Sequence, residues 1–236
     1  MRRFLTVVVV LILLLVIVDR AADWFAQRTI AAEIQSSQEL DSRPDVSVNG
    51  FPFLTQVLRG RYQEVDVNLV DPSVDGGLKI DTLDVRLRGV KISVSDAINQ
   101  RVDSVPVDSA TANGFVSYDS LNAAAKANLP DTKSTVEFRQ GTGNTLAVTG
   151  NYRSSALNAK LDLVARVVAR DGDLVVVLPD AALEGLPAAL RPQVKSLVTK
   201  ASRLPSLPFG FQARKATVGP SGIAVEATSS SLNLQR

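Results

Sequence analysis

Neither cysteine nor histidine occurs among the 236 residues. The missing cysteine leaves the fold to be held by its core rather than by disulfides, and is compatible with an oxidising compartment. The missing histidine removes the commonest general base and the commonest zinc ligand. Together the two absences exclude a serine triad and a cysteine nucleophile, leaving Ser/Lys pairs or bare carboxylates as catalytic candidates. Aromatics are sparse: eight Phe, three Tyr and one Trp. Charge of one sign is sparse too. Outside residues 1–20, which hold Arg2, Arg3, Asp19 and Arg20, basic and acidic residues number 23 each. A neutral domain has no bulk attraction for nucleic acid, and none is expected as a partner.

Recognisable chemical motifs are also lacking. In Gly141-Thr142-Gly143, Leu146 stands where a dinucleotide fingerprint needs its third glycine, and no phosphate loop is present. Gly219-Pro220-Ser221-Gly222 is not a nucleophile elbow. Asp81 with Asp84, or Asp103 with Asp108, supplies the residue types of a glycosidase pair. Each sits at an outward or turn position, where solvated carboxylates are the expectation. Asp71 and Asp75 do not match calcium-loop spacing. No catalytic residue, metal or cofactor is assigned, and the expectation is a protein that is not an enzyme.

What is present begins with Arg2 and Arg3, followed by an apolar run from Phe4 to Val18 broken only by Thr6. This is the layout of a secretory signal. Fifteen helical residues reach about 22 Å against a hydrocarbon core of about 30 Å, a shortfall that snorkelling by Arg3 and Arg20 offsets. Cleavage after Ala21 or Ala22 would put Asp19 or Arg20 at −3, so a retained signal anchor is favoured over a cleaved peptide. Arg2 and Arg3 inside place everything after Asp19 outside the cytoplasm. The expected organisation is residues 1–20 as signal peptide or anchor and 21–236 as one extracytoplasmic domain.

The expected class of that domain is α+β. Residues 19–40 continue outward as a helix. Val65, Val67 and Leu69 alternate with Glu64, Asp66 and Asn68 as a half-buried strand, and Leu83, Val85 and Leu87 do the same before parity shifts at Gly89. Gly89 is therefore expected at a bulge or kink. From Leu157 to Ala169 every odd position is apolar, Leu161, Leu163 and Val167 among them. Asp171-Gly172 then turns the chain into a partner strand at 174–178. Further strands are expected at 105–116, 134–139, 145–152, 207–218 and 222–228, in all a sheet of roughly eight long members connected as meanders. Helices are expected at 118–129 and about 187–204. On the second, Leu190, Val194 and Leu197 share an arc that excludes Arg191, Lys195, Lys200 and Arg203. No acid occurs between Glu184 and Glu226, a window that also holds Arg214 and Lys215. This one-signed patch suits either an ordinary solvated helix face or an anionic lipid surface or head group.

Aromatics concentrate in Gly50-Phe51-Pro52-Phe53-Leu54-Thr55-Gln56, followed by Gly60-Arg61-Tyr62, and again in Leu207-Pro208-Phe209-Gly210-Phe211. Either block reads as a packed turn or the lip of an apolar cavity, or as simple core packing. With Pro44-Asp45-Val46-Ser47-Val48 and the C-terminal Leu204-Pro205-Ser206-Leu207-Pro208 leading to Gly222, the first block resembles the LmeA-like phospholipid-binding proteins of actinobacterial envelopes. The resemblance covers essentially the whole chain. It implies a domain like the tubular (BPI-like) lipid-binding proteins, in which a long, strongly curved antiparallel sheet wraps a helix and encloses an apolar groove. It carries no ligand-contacting residue over to this chain.

The resulting expectation is non-catalytic binding of an anionic phospholipid at the membrane surface of the envelope, carried or sensed in support of glycolipid or lipid biogenesis. Phe51, Phe53, Leu54, Leu161, Leu163, Val167, Leu190, Val194 and Leu197 are the candidate apolar contacts. Arg191, Lys195, Lys200 and Arg203 are the candidate head-group or membrane contacts. The rival expectation is an assembly module that holds an envelope biosynthetic enzyme, its core filled by its own side chains.

Overall fold

The apolar run and the polar stretch after it form one uninterrupted helix, α1 (Arg2–Ser37), in a computed structural model that describes residues 1–37, 40–74, 78–93, 95, 104–128, 135–154, 157–184, 188, 191 and 211–235. The remaining elements are β1 (Asp45–Asn49), α2 (Phe53–Arg59), β2 (Arg61–Val70), β3 (Ser73–Val74), β4 (Leu78–Lys79), β5 (Thr82–Lys91), β6 (Ser104–Ser117), α3 (Tyr118–Asn128), β7 (Thr135–Gln140), β8 (Leu146–Ser154), β9 (Leu157–Arg170), β10 (Asp173–Val177), α4 (Asp180–Glu184), β11 (Gln212–Val218) and β12 (Gly222–Gln235). The class is α+β with large antiparallel sheets.

Instead of one sheet of eight, the strands form a six-stranded sheet in the order β1-β2-β5-β6-β12-β11, a four-stranded sheet β10-β9-β8-β7 and the ribbon β3-β4. Alternation identifies strands but not their partners, and β6 next to β12 is a pairing between strands far apart in the chain. The chain divides into two compact units, one of Met1–Leu69, Asp84–Ala110 and Ser230–Arg236, the other of Val70–Leu83 and Thr111–Ser229.

In the first unit, period two sorts the side chains as expected. Val46 and Val48 of β1, Val65 and Val67 of β2, and Leu87 of β5 are buried. The opposite face carries a charge ladder in which Arg86 Nε meets Asp66 at 2.7 Å and Arg88 Nε meets Glu64 at 2.9 Å. Such exposed pairs are screened by solvent, contribute little to stability and serve mainly to keep this face wet. Parity shifts at Gly89, where φ is +65° and both Gly89 and its neighbour Val90 are buried. A Cβ at Gly89 would overlap the Asp108 carboxylate, so both backbone and space require glycine.

The second unit has its core where β8 and β9 meet β11 and β12. Leu146, Ala165, Val167, Ala216, Val218 and Ile223 form one buried cluster, with Tyr118, Leu121 and Phe138 packed around it. The β9–β10 hairpin closes through Asp171 and Gly172, both at positive φ (55° and 88°), the geometry of a two-residue turn that follows the strand twist. Helix α3 is capped by Ser117, whose Oγ accepts the N–H of Ser120 at 3.2 Å. Asn122 covers the β7 edge: its Oδ1 accepts the Phe138 N–H and its Nδ2 donates to the Phe138 carbonyl, as a neighbouring strand would.

Candidate functional site

The aromatic block expected as a packed turn or the lip of an apolar cavity leads into a short helix. Pro52 is the N-cap of α2 and offers no side-chain acceptor. The acceptor comes from α1 instead. The Asp19 carboxylate, almost fully buried, takes the Phe53 N–H at 3.1 Å and the Leu54 N–H at 2.8 Å. Two of the amides that a helix start leaves unpaired are thereby satisfied by a residue 34 positions away. Arg20 covers the same carboxylate at 2.8 Å and reaches Asp23 at 3.4 Å, while Asp23 also accepts from Gln27 at 2.9 Å. The two buried acids thus have cationic or amide partners, as burial of charge demands.

Gln56 ties the far side of α2 to the sheet. Its Nε2 donates to the Asn49 carbonyl and its Oε1 accepts the Gln63 N–H at 2.8 Å. Gly60 ends α2 in the left-handed conformation at φ +61°, donating back to Val57. Its carbonyl accepts the Ile92 N–H at 3.1 Å. Lys91, at 2.8 Å, and the neighbouring Arg61 both pair with Asp108, and the Lys91 hydrogen bond foremost holds its carboxyl below the ordinary aspartate range.

Of the candidate apolar contacts in this block, Phe53 is buried with its ring 6.2 Å from that of Tyr62, and Leu54 is half-buried. Phe51 is 61% exposed, with the Arg20 guanidinium 5.3 Å from its ring centre. The Phe51–Pro52 peptide is cis. On β9, Leu163 and Val167 are buried and Leu161 is half-buried, all on one face, while Val164 and Arg166 turn outward. Val167 lies within the cluster of the second unit, against the unit's own side chains. The structure brings Phe51, Phe53 and Leu54 together and places Leu161, Leu163 and Val167 in the other unit.

Leu190, Val194, Leu197, Lys195, Lys200 and Arg203 lie outside the described residues, as does most of the helix expected at 187–204. Arg191 donates through Nη2 to the Glu184 carbonyl at 2.9 Å. Two other bases of the acid-free window have cross-strand partners. Arg214 donates to Thr228 at 2.7 Å, and Lys215 stands opposite Glu226 with a 3.5 Å contact. The window contains no acid in sequence, yet its last lysine meets one in space.

Of the carboxylates that supply the residue types of a glycosidase pair, Asp81 and Asp108 have structural partners, and Asp103 lies outside the described residues. Burial alone would raise the Asp81 pKa. The Ser117 N–H at 2.6 Å and hydroxyl at 2.8 Å outweigh that and hold it below the ordinary value. Asp81 thus fixes the residue that caps α3. Sequence reasoning missed α2, Asp19 and Asp23 as one assembly. The available signal was a pair of acids spaced i, i+4 immediately after an apolar run, a spacing that puts both on one helix face.

No curated protein and no solved structure matches the chain. A family model does, that of LmeA-like phospholipid-binding proteins, over residues 17–228, a span that begins just before Asp19 and takes in the α2 block and most of each unit. The chain belongs to the LmeA-like phospholipid-binding family.

Proposed function

We propose that this protein binds phospholipid in the cell envelope without carrying out chemistry on it, and that the observation carrying this reading is its family membership across 17–228. In this reading α1 anchors the chain through residues 4–18, and residues 21–236 form an extracytoplasmic lipid-binding domain. Its antiparallel sheets curve about a helix in the manner of tubular lipid-binding proteins, giving acyl chains an aliphatic inner face. The β9 row of Leu161, Leu163 and Val167 is the candidate apolar contact in one unit, and Phe51, Phe53 and Leu54 are the candidates in the other. Burial contributes about 0.8 kcal/mol for each CH₂, so a part-buried acyl chain binds usefully with no catalytic group. Arg191, Lys195, Lys200 and Arg203 meet an anionic head group, and the bound lipid supports envelope glycolipid or lipid biogenesis.

A second reading, an assembly module for an envelope biosynthetic enzyme, is favoured by one observation: Ala165 and Val167 are already packed against Ala216, Val218 and Ile223. Native mass spectrometry of the full chain, released from micelles after extensive detergent exchange, separates the two. Near-stoichiometric retained phospholipid is expected. A clean apo mass, with no uptake from added phospholipid, would transfer the conclusion to the assembly module.

A further inference from the structure

The apolar run is too short for the job its composition suggests, and the next turns of α1 are unusually apolar for a helix leaving a membrane. Phe4–Val18 reaches about 22 Å, so it falls about 8 Å short of a hydrocarbon core of about 30 Å. Trp24 and Phe25 lie about 9 to 10 Å further along the same unbroken helix, and both are exposed. Between them and Val18 stand Asp19, Arg20 and Asp23, which at that depth would be costly in contact with lipid. Neither acid is in such contact. Asp19 and Asp23 are buried, the first against the start of α2 and both beside Arg20.

The element that buries Asp19 is itself apolar on its outside. Phe51, two residues before α2, and Leu58, within it, are 61% and 83% exposed. Helix α2 is seven residues, about 10 Å long, and its first amides are hydrogen-bonded to Asp19, so Leu58 lies within about one such length of the helix exit. Arg20 lies by Phe51, and the Arg28 guanidinium lies 4.2 Å from the Trp24 ring centre. Exposed aromatics flanked by arginine are the composition of a membrane–water interface, where a ring sits among glycerol and carbonyl groups and a guanidinium reaches phosphate.

We infer that the junction of α1 and α2 is a seat in the interfacial zone of a phospholipid bilayer, where Trp24, Phe25, Phe51 and Leu58 complete the lipid-facing surface that the short run leaves unfinished, while Arg20 and Arg28 meet phosphate. This rests on reading Phe4–Val18 as a retained anchor. The seat also supplies a reason for retention, since removal of Asp19 leaves the N-terminus of α2 without its acceptor. The bilayer is the occupant because the surface is continuous with the run that enters it.

Trp24 is the only tryptophan, so its fluorescence reports the seat directly. The full chain is reconstituted in phosphatidylcholine–phosphatidylglycerol vesicles, and its intact mass is measured on material from the producing cells. Quenching of Trp24 should be stronger by a spin label near the top of the acyl chain than by one near its methyl end, with little quenching by aqueous acrylamide. Replacing the two exposed groups together (F51S/L58S) should raise acrylamide quenching at least twofold while the chain stays in the carbonate-washed membrane fraction. Free access of acrylamide with no quenching by the shallow lipid label, on a chain whose mass still includes residues 1–20, would overturn the seat and leave the anchor standing. A mature mass that begins beyond residue 20 would overturn the anchor and the seat together.

Discussion

Asp19 has no visible partner in the sequence, because the amides it serves belong to Phe53 and Leu54. Its carboxylate does what an N-cap side chain does, but from another helix. Loss of a capping acceptor costs about 1 kcal/mol, so Asp19→Ala should lower stability by about that amount and speed amide exchange at Phe53 and Leu54. Asp19→Asn keeps one oxygen and should restore part of the protection. Hydrogen exchange of the full chain in detergent gives the answer, and unchanged exchange at these two amides would show that the cap is dispensable. Asp81 supports a pH prediction. Its folded pKa lies below the ordinary 3.8, so its contribution is present in full above that value and is lost as pH falls through the lowered one. The melting temperature should therefore fall as pH drops below about 3.8, and Asp81→Asn should show a shallower fall than the parent chain. Equal slopes for the two proteins would mean that the Ser117 contacts do not discriminate between charged and neutral forms.

At the scale of the element, local pattern is enough wherever the element is decided locally. In β9, Leu163, Ala165 and Val167 are buried and Leu161 and Ala169 half-buried, on the face its alternation requires, and the Asp171-Gly172 turn has the two positive φ angles that its residue types allow. The parity shift at Gly89 is legible for the same reason. Elements held from a distance are not. Helix α2 is only seven residues and depends on Asp19 for its start, so in sequence its Phe-Pro-Phe block looks like a turn or a cavity lip. Strand β1 alternates over too few residues to stand out alone, and β2 completes it through pairs such as Val46 with Val67. The division into six and four strands comes from contacts such as β6 with β12, which alternation within one strand cannot encode. Helix α4, only five residues long and following the β9–β10 hairpin, has no sequence signature of its own.

For the whole molecule, the family can be read from the Gly50–Tyr62 block and is shown by the match over 17–228. The ligand contacts are less legible, because apolar residues that line a groove and those that fill a core obey the same period. Charge offers a way to separate the two halves of the proposed binding mode. Beyond residue 20 the chain is neutral, so any preference for an anionic lipid must come from local clustering such as Lys195, Lys200 and Arg203 rather than from net charge. Raising salt from about 0.01 M to about 1 M shortens the screening length from about 30 Å to about 3 Å, which weakens phosphate contacts but not acyl burial. The full chain, exchanged in mixed micelles, should therefore enrich phosphatidylglycerol over phosphatidylcholine at low salt and lose that enrichment at high salt, with total bound lipid little changed. The K195E/K200E/R203E variant should bind both lipids without preference even at low salt. If it still enriches the anionic lipid as the parent does, the basic window has no head-group role, and the preference must be sought among Arg20, Arg28 and the other cations near the membrane.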